Sequence, residues 1–581
     1  MGRNRSKKCG GSAAGAPGTP GACQVPGAGG VPDATGRPGA ARAALAVAVT
    51  VGLLGAAGCG NGDGGDGGGG GESNRGSRTP AASDSFRPPP PKGPDRVGPP
   101  PSAVPSVRDW QARRGPGWER TKYTRVVTRT GSLRDEARLL ARELKVDVSQ
   151  GPARTGDIEL KKSGRSRKSA KGRGARSELG GPESYELTSR AGRVTITGAD
   201  DAGVFYGTRT LLQTHRAQHR FAEGTVRDAP DRPQRGFSLD IARKNFSADW
   251  IKARVREMGD LKLNQLQLHL SDDQAFRIQS DTHPEIVSNP RLTKAQVRDI
   301  VKLAASRHIA VIPEIDSPGH LGAVLRAHPD LQLRGAQGQT PRGAVDIANP
   351  KAAKIVDDLL GEFADLFPAK YAHAGGDEYQ ALMTRNPEQA YPGLARKARE
   401  KFGSDAKIQD LATDWLNDRA ATLRKHGKTP QVWNDGMHRG GVVKPSRPRQ
   451  VAYWTGRETG QREPEEYLRE GWQVVNLNDA YLYYVLGQPN NFTYPTGRRI
   501  YEHWTPAVVR GTEPVPGKWA GREHIVGGRF AVWGDLSGAQ TTAQVARGIR
   551  LPLAATAQKL WDPRRPGRSW GEFVKLVRRV G

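Results

Sequence analysis

Residues 373–378, His-Ala-Gly-Gly-Asp-Glu, set two adjacent carboxylates, Asp377 and Glu378, behind a glycine pair. They follow a short strand-like run over residues 371–374. In a regular strand, neighbouring side chains point to opposite faces. Both acids reach one pocket only if the chain bends there, and Gly375-Gly376 permits backbone angles that other residues resist. Like charges held in one site push a carboxyl pKa upward. That arrangement suits a proton donor beside an anion.

Other polar residues recur at the ends of similar runs. Asp240-Ile241-Ala242-Arg243 closes one, and His269-Leu270-Ser271-Asp272-Asp273-Gln274 another. Glu314-Ile315-Asp316-Ser317-Pro318-Gly319-His320 follows, then Trp433-Asn434-Asp435, Tyr453-Trp454 and Trp533-Gly534-Asp535. Acids, a histidine, an arginine and tryptophans at one mouth describe a sugar pocket. Aromatic faces stack on a pyranose while charged groups bind its hydroxyls.

Those residues need a scaffold that brings strand ends together. From about residue 233 a strand-then-helix texture repeats. Strands are expected at 236–241, 265–270, 310–315, 371–374, 430–433, 451–454, 473–477 and 530–533, with helices including 249–261, 294–307, 351–366, 410–426 and 541–561. Eight such strands predict an α/β fold, a (β/α)8 TIM barrel over residues 231–581, whose chemistry sits at the C-terminal strand ends. An open doubly wound sheet is the alternative, but no Gly-rich phosphate loop follows the first strand. Residues 119–230 are expected to form a small α+β domain. It has a strand at 125–128, helices at 132–144 and 200–216, and a hairpin pairing 185–188 with 194–197 across Arg190-Ala191-Gly192.

The 581 residues carry a net charge of +29. Eight basic residues and no acid fall within 161–176. This run, read as a basic loop over 161–177, has no aromatic for base stacking and no helical period. A loop attracted to anionic polymers or lipid heads is expected, and no specific nucleic-acid partner. Residues 60–118, rich first in Gly and then in Pro, read as a disordered tether. Before them, residues 43–57 form an apolar run too short to span a bilayer. It ends in Gly55-Ala56-Ala57-Gly58-Cys59. Residues 1–59 therefore read as a signal peptide and resemble a bacterial lipoprotein signal. That implies lipidation at Cys59 and a cell-surface, membrane-anchored protein; a plain secretory signal cut nearby, giving a secreted one, is the alternative. Only Cys9, Cys23 and Cys59 are present, so the body is expected to lack disulfides and thiol nucleophiles. The spacing shows no metal-ligand cluster, and neither metal nor cofactor is expected.

Together these motifs resemble the β-N-acetylhexosaminidases, glycoside hydrolase family 20. The resemblance rests on Arg235-Gly236 through Arg243, residues 268–274, 313–320 and 373–378, and on Ile196 to Gly207 in the preceding unit. It implies a retaining hydrolase of terminal β-linked N-acetylhexosamine glycans. In such an enzyme the substrate's own 2-acetamido oxygen attacks the anomeric carbon, in place of the usual second carboxylate. By position, Glu378 resembles the general acid/base and Asp377 the acetamido-orienting carboxylate. Asp377, remaining ionised, would help keep Glu378 protonated at neutral pH. His320 and Asp272 match a relay toward that acid, and Arg243 the arginine that holds ring hydroxyls. Trp415, Trp433 and Trp533 match the acetamido pocket walls. The family's Tyr-Leu-Asp becomes Tyr481-Leu482-Tyr483, retaining Tyr481 as a substrate contact, and its Trp-x-Glu becomes Trp533-Gly534-Asp535. The Tyr-Leu-Tyr form is similar to the dispersin and lacto-N-biosidase side of the family. A hydrolase of poly-GlcNAc or of a disaccharide unit is therefore the alternative activity, and a catalytically inactive sugar-binding lipoprotein the alternative from another class. Oligomeric state is left open.

Overall fold

A computed structural model describes residues 96–163, 180–456, 462–487 and 492–581. The signal peptide with Cys59, most of the tether and nearly all of the basic loop lie outside the described residues.

The first layer is a seven-stranded mixed sheet. Its strands are β1 (Asp109–Ala112), β2 (Arg125–Val127), β3 (Asp147–Ser149), β4 (Ile158–Lys162), β5 (Tyr185–Arg190), β6 (Arg193–Gly198) and β7 (Gly224–Asp228). Their order across the sheet is β1-β7-β5-β6-β4-β2-β3. Helices α1 (Arg134–Leu144) and α2 (Asp201–Gln218) pack on it, α2 starting where the Asp200 side chain accepts the Gly203 N–H. The β5–β6 hairpin turns through Ala191 and Gly192, at φ of 49° and 71°. The stretch before residue 119 is not tether throughout. β1 pairs with β7 in register, Val104 and Trp118 are fully buried, and the Val104 N–H donates to Gln213. Isolated apolar anchors among prolines carry no periodic signal, yet three or four of them suffice to dock an extended chain.

The second layer is a closed parallel barrel. Its strands are β8 (Gln234–Asp240), β9 (Gln265–His269), β10 (Ala310–Glu314), β11 (Tyr371–His373), β12 (Thr429–Trp433), β13 (Gln450–Tyr453), β14 (Gln473–Asn476) and β16 (Ile525–Trp533). β16 pairs with both β14 and β8, completing the ring. An additional short strand, β15 (Tyr483–Val485), runs parallel to the upper half of β16. Helices α3 (Ala248–Asp260), α4 (Lys294–Ala305), α5 (Gly322–Ala327), α6 (Pro350–Leu366), α7 (Ile408–Lys425) and α8 (Thr542–Trp561) belong to the surrounding connections. Apolar residues on the outward strand faces and inward helix faces form the main core.

The barrel's lower interior is polar and extensively hydrogen-bonded, although Arg529 Nε is left without a partner. Arg529 donates to Gln267, Gln265 and Gln431; Gln431 and Gln234 both donate to Gln450, and Gln450 to Gln473. Gln267 in turn donates to Glu314 Oε2 at 2.6 Å. A buried polar group is costly without a partner, so this network holds the strands at fixed heights and links the barrel floor to the site above. The small domain is locked to the barrel by the buried Lys262, which contacts Tyr185, Thr210 and Asp228, while Trp561 Nε1 donates to Asp228. Burial lowers the Lys262 pKa to about 8, against the pull of Asp228.

Candidate active site

The predicted bend is present at the top of β11. Gly375, Gly376 and Glu378 have φ of 71°, 107° and 48°. Glycine is required at 375 for a further reason: a Cβ there would lie 1.7 Å from Asp316 Oδ1. The Gly376 N–H donates to that same oxygen at 2.9 Å, and the Gly375 N–H donates to His373 Nδ1. Burial holds His373 neutral, its pKa lowered to about 4, as an acceptor of that bond must be.

His320 sits between the two acids. Its Nε2 lies 3.3 Å from Glu378 Oε2 and 3.7 Å from Asp377 Oδ2, and its Nδ1 lies 3.4 Å from Asp272 Oδ2. These are ion-pair contacts rather than aligned hydrogen bonds, since the buried Nε2 has no well-directed acceptor. Burial opposes charge on the imidazole, but Asp272, Asp377 and Glu378 outweigh it and raise its pKa well above the ordinary histidine value. Asp272 is anchored more tightly by Arg243 Nη2 at 2.8 Å and His269 Nε2 at 2.8 Å. Burial would raise the Asp272 pKa, yet His320 and Arg243 bring it well below the usual range. His269 also faces Glu314, and despite burial the pair polarises to about 10 for the imidazole and about 2 for the carboxyl.

The charge balance differs from expectation at one point. The His320 contact lowers the Glu378 pKa, against burial. The upward pressure falls instead on Asp316 and Asp435, both of which burial and then the neighbouring Asp377 push well above the normal value. Asp316 Oδ2 and Asp377 Oδ1 are both buried without another partner. Two carboxylate oxygens can face each other there only by sharing a proton, and the raised Asp316 is the acid that brings it. Sequence reasoning missed this residue's part because Asp316 lies 61 positions before Asp377 and only the fold joins them.

Arg243 is aimed by Asp240, which accepts from the Arg243 backbone N–H and from Nη1. Its Nε lies 3.9 Å from Asp535, half exposed at the lip, and its guanidinium packs 5.5 Å from the Trp533 ring centre. Around the acids lies a cleft lined by Arg243, His269, Asp377, Glu378, Trp454, Tyr483, Val485, Phe492, Trp533 and Asp535. Trp454 and Tyr483 stack with an interplanar angle of 5°. Trp433 packs against Trp533 and donates its Nε1 to Glu314 at 2.8 Å. Asp435 accepts from the Glu378 backbone N–H at 2.9 Å and from Trp454 Nε1 at 3.1 Å, so one carboxylate positions both an acid and a wall.

Three expected contacts do not line this cleft: Trp415, Tyr481, and Trp433, which packs behind Trp533. Trp415, on α7, is buried with its Nε1 donating to Ser317 Oγ and the Arg419 guanidinium over its ring. It props the segment that bears Asp316, and Trp454 takes the wall position. Tyr481 falls in a four-residue helical turn, Asp479–Leu482, and stacks beneath Arg499. Tyr483, the first residue of β15, enters the pocket instead, with Val485 two residues on. Asp316, His320 and Asp377 also offer ligand atoms within 4.8 Å of one another, but these are already paired among themselves. The arrangement equips the cleft for proton transfer beside a fixed anion, inside an aromatic box.

Residues 233–564 match the family model described as glycosyl hydrolase family 20, catalytic domain, and residues 100–229 match family 20, domain 2. A lacto-N-biosidase of Bifidobacterium bifidum is 29% identical over 488 residues, covering 83% of this chain and 42% of that protein. A β-hexosaminidase of Porphyromonas gingivalis is 30% identical over 307 residues, 48% of this chain and 38% of that protein. The chain thus spans about two fifths of the length of these curated relatives. Among solved structures, a Streptomyces plicatus β-hexosaminidase mutant in complex with GlcNAc superposes with a TM-score of 0.65 at 24% identity, covering 84% of this chain and 95% of that one.

Proposed function

The chain belongs to glycosyl hydrolase family 20, and from that premise we propose that it is a retaining β-N-acetylhexosaminidase using the substrate's 2-acetamido group as nucleophile. The observation that carries this reading is the division of charge around Asp377 and Glu378. Glu378, more exposed and in contact with the protonated His320, is the proton carrier; the pair holds one dissociable proton, which Glu378 passes to the glycosidic oxygen and recovers from water in the second step. Asp377, held by the Asp316 proton, accepts from the acetamido N–H and stabilises the positive charge that develops as the carbonyl oxygen attacks. Asp272, held by Arg243 and His269, fixes the His320 orientation. Arg243 and Asp535 bind ring hydroxyls, and Trp454, Trp533 and Tyr483 enclose the acetamido methyl. No cofactor takes part in these steps.

A second reading concerns the leaving unit. Two residues after the pocket tyrosine stands Val485, an apolar residue, and Phe492 adds apolar surface beside it. With the 83% coverage by a lacto-N-biosidase, this favours a substrate whose hexosamine carries a further sugar. The Cys59 anchor would place the enzyme at a membrane surface, acting on glycans there.

The test is hydrolysis by the purified chain of an aryl β-N-acetylglucosaminide, the same aglycone on a disaccharide ending in N-acetylglucosamine, and the matching aryl β-glucoside. Release from either acetamido substrate and not from the glucoside is expected, and the preferred one identifies the leaving unit. Equal rates with the glucoside would remove the acetamido mechanism, and no turnover of any would favour a sugar-binding protein.

A further inference from the structure

Away from the cleft, two imidazoles converge on one carboxylate. Glu285 Oε1 lies 3.0 Å from His283 Nδ1 and 2.9 Å from His328 Nε2, and all three residues offer ligand atoms within 4.8 Å of one another. Sequence spacing did not reveal the cluster, because His328 stands 43 residues beyond Glu285 on a separate connection. His283 and Glu285 belong to the turn at Pro284–Ile286 after β9, and His328 caps α5 after β10.

We propose that His283, Glu285 and His328 form a transition-metal site suited to Zn2+. Zinc takes imidazole nitrogen and carboxylate oxygen at about 2.0–2.2 Å, which in a tetrahedron gives ligand–ligand edges of about 3.3–3.6 Å. The observed separations therefore need to open by only a few tenths of an ångström. A mixed nitrogen and oxygen set also discriminates against Ca2+ and Mg2+, which favour oxygen alone. The second observation is on the far side of His283. Its Nε2 lies 3.1 Å from Asp358 Oδ2, the pairing by which a carboxylate orients a metal-ligating imidazole. Glu285 Oε1 is thus the point on which nitrogens of both imidazoles converge, and the other ring nitrogen of His283 is already oriented by a carboxylate.

Three protein ligands leave a fourth position for water. The ion would tie the segment that starts with Asp272 to the helix that follows His320. It would thereby brace both supports of the Glu378 proton relay from outside the pocket.

The experiment is calorimetric titration of Zn2+ into the chelator-treated, purified chain, alongside His328→Ala and Asp358→Asn chains. Comparison with the variants separates this site from other histidines and cysteines. His328→Ala should lose one zinc equivalent, and Asp358→Asn should bind that equivalent about tenfold more weakly. Zinc should raise the Tm of the unsubstituted chain and not that of His328→Ala, with Mg2+ inert for both. If chelator-treated His328→Ala melts lower than the unsubstituted chain, Glu285→Gln, which keeps the side-chain size, serves for the same comparison. Zinc stoichiometry and affinity unchanged by these substitutions, or no zinc binding by the unsubstituted chain, would overturn the proposal.

Discussion

Replacing Asp316 by Asn probes the proton that lies between Asp316 and Asp377. Asp316 is fully buried; its Oδ1 accepts the Gly376 N–H at 2.9 Å, and burial with the adjacent Asp377 keeps its carboxyl protonated. Asn has the same shape, keeps an acceptor for Gly376 and offers an N–H in place of the O–H to Asp377. Ala keeps neither. Loss of a hydrogen bond to an ionised group costs about 1.5–3 kcal/mol, and a buried N–H left unsatisfied costs about 1–3 kcal/mol. Asp316→Ala should therefore lose about 2.5–6 kcal/mol of stability from these two groups. If the part that falls on Asp377 is felt in the transition state, kcat/KM on an aryl β-N-acetylglucosaminide drops by about tenfold to 150-fold. Asp316→Asn should stay within about fivefold, equivalent to under about 1 kcal/mol. The pH dependence carries its own sign. A carboxyl whose folded pKa is raised contributes stability below its unfolded pKa, about 3.9, and loses it as pH rises toward the folded value. The Asn variant lacks that loss, so its Tm relative to the unsubstituted chain should climb as pH rises above about 4. Asn as damaging as Ala, with no such climb, would refute a protonated Asp316.

Two further outcomes follow from the same cluster. His320 holds its proton well above the ordinary histidine range and lowers the Glu378 pKa, so the catalytic proton belongs to the pair. His320→Asn leaves it to a carboxyl alone, and the alkaline limb of the kcat/KM profile should move to lower pH; an unmoved limb with reduced kcat would mean that His320 only positions Glu378. Tyr483→Phe should lower kcat/KM by about tenfold or more, as expected for a lost hydroxyl contact to substrate. Tyr481→Phe should leave activity intact, and the reverse pattern would restore Tyr481 to the site.

The barrel was legible because its strands are short, apolar and each followed by a helical pattern, and because strand ends collect the polar residues. The Gly375-Gly376 bend was legible because two adjacent acids cannot share a pocket from a straight strand. Tyr481 and Tyr483 were not separable: a helical turn of four residues, Asp479–Leu482, is too short to leave a period, yet it shifts which tyrosine faces inward. Trp415 sits near the acids in the fold, but its indole is spent on Ser317, a contact 98 residues distant in sequence. Residues 96–118 were read as tether because prolines hide the few apolar anchors that dock them. The transfer of proton pressure from Glu378 to Asp316 depends on where His320 lies, which spacing cannot give.

The most direct measurement is the dependence of kcat on the electron density of the acetamido oxygen. Aryl N-acetylglucosaminides with mono-, di- and trifluorinated acetyl groups keep the shape of the substrate while weakening that oxygen as a nucleophile. A steep fall in kcat with each fluorine is predicted, with Glu378 and Asp377 unchanged. Rates that stay level across the series would contradict nucleophilic participation, and with it the assignment of Asp377 as the residue that steers it.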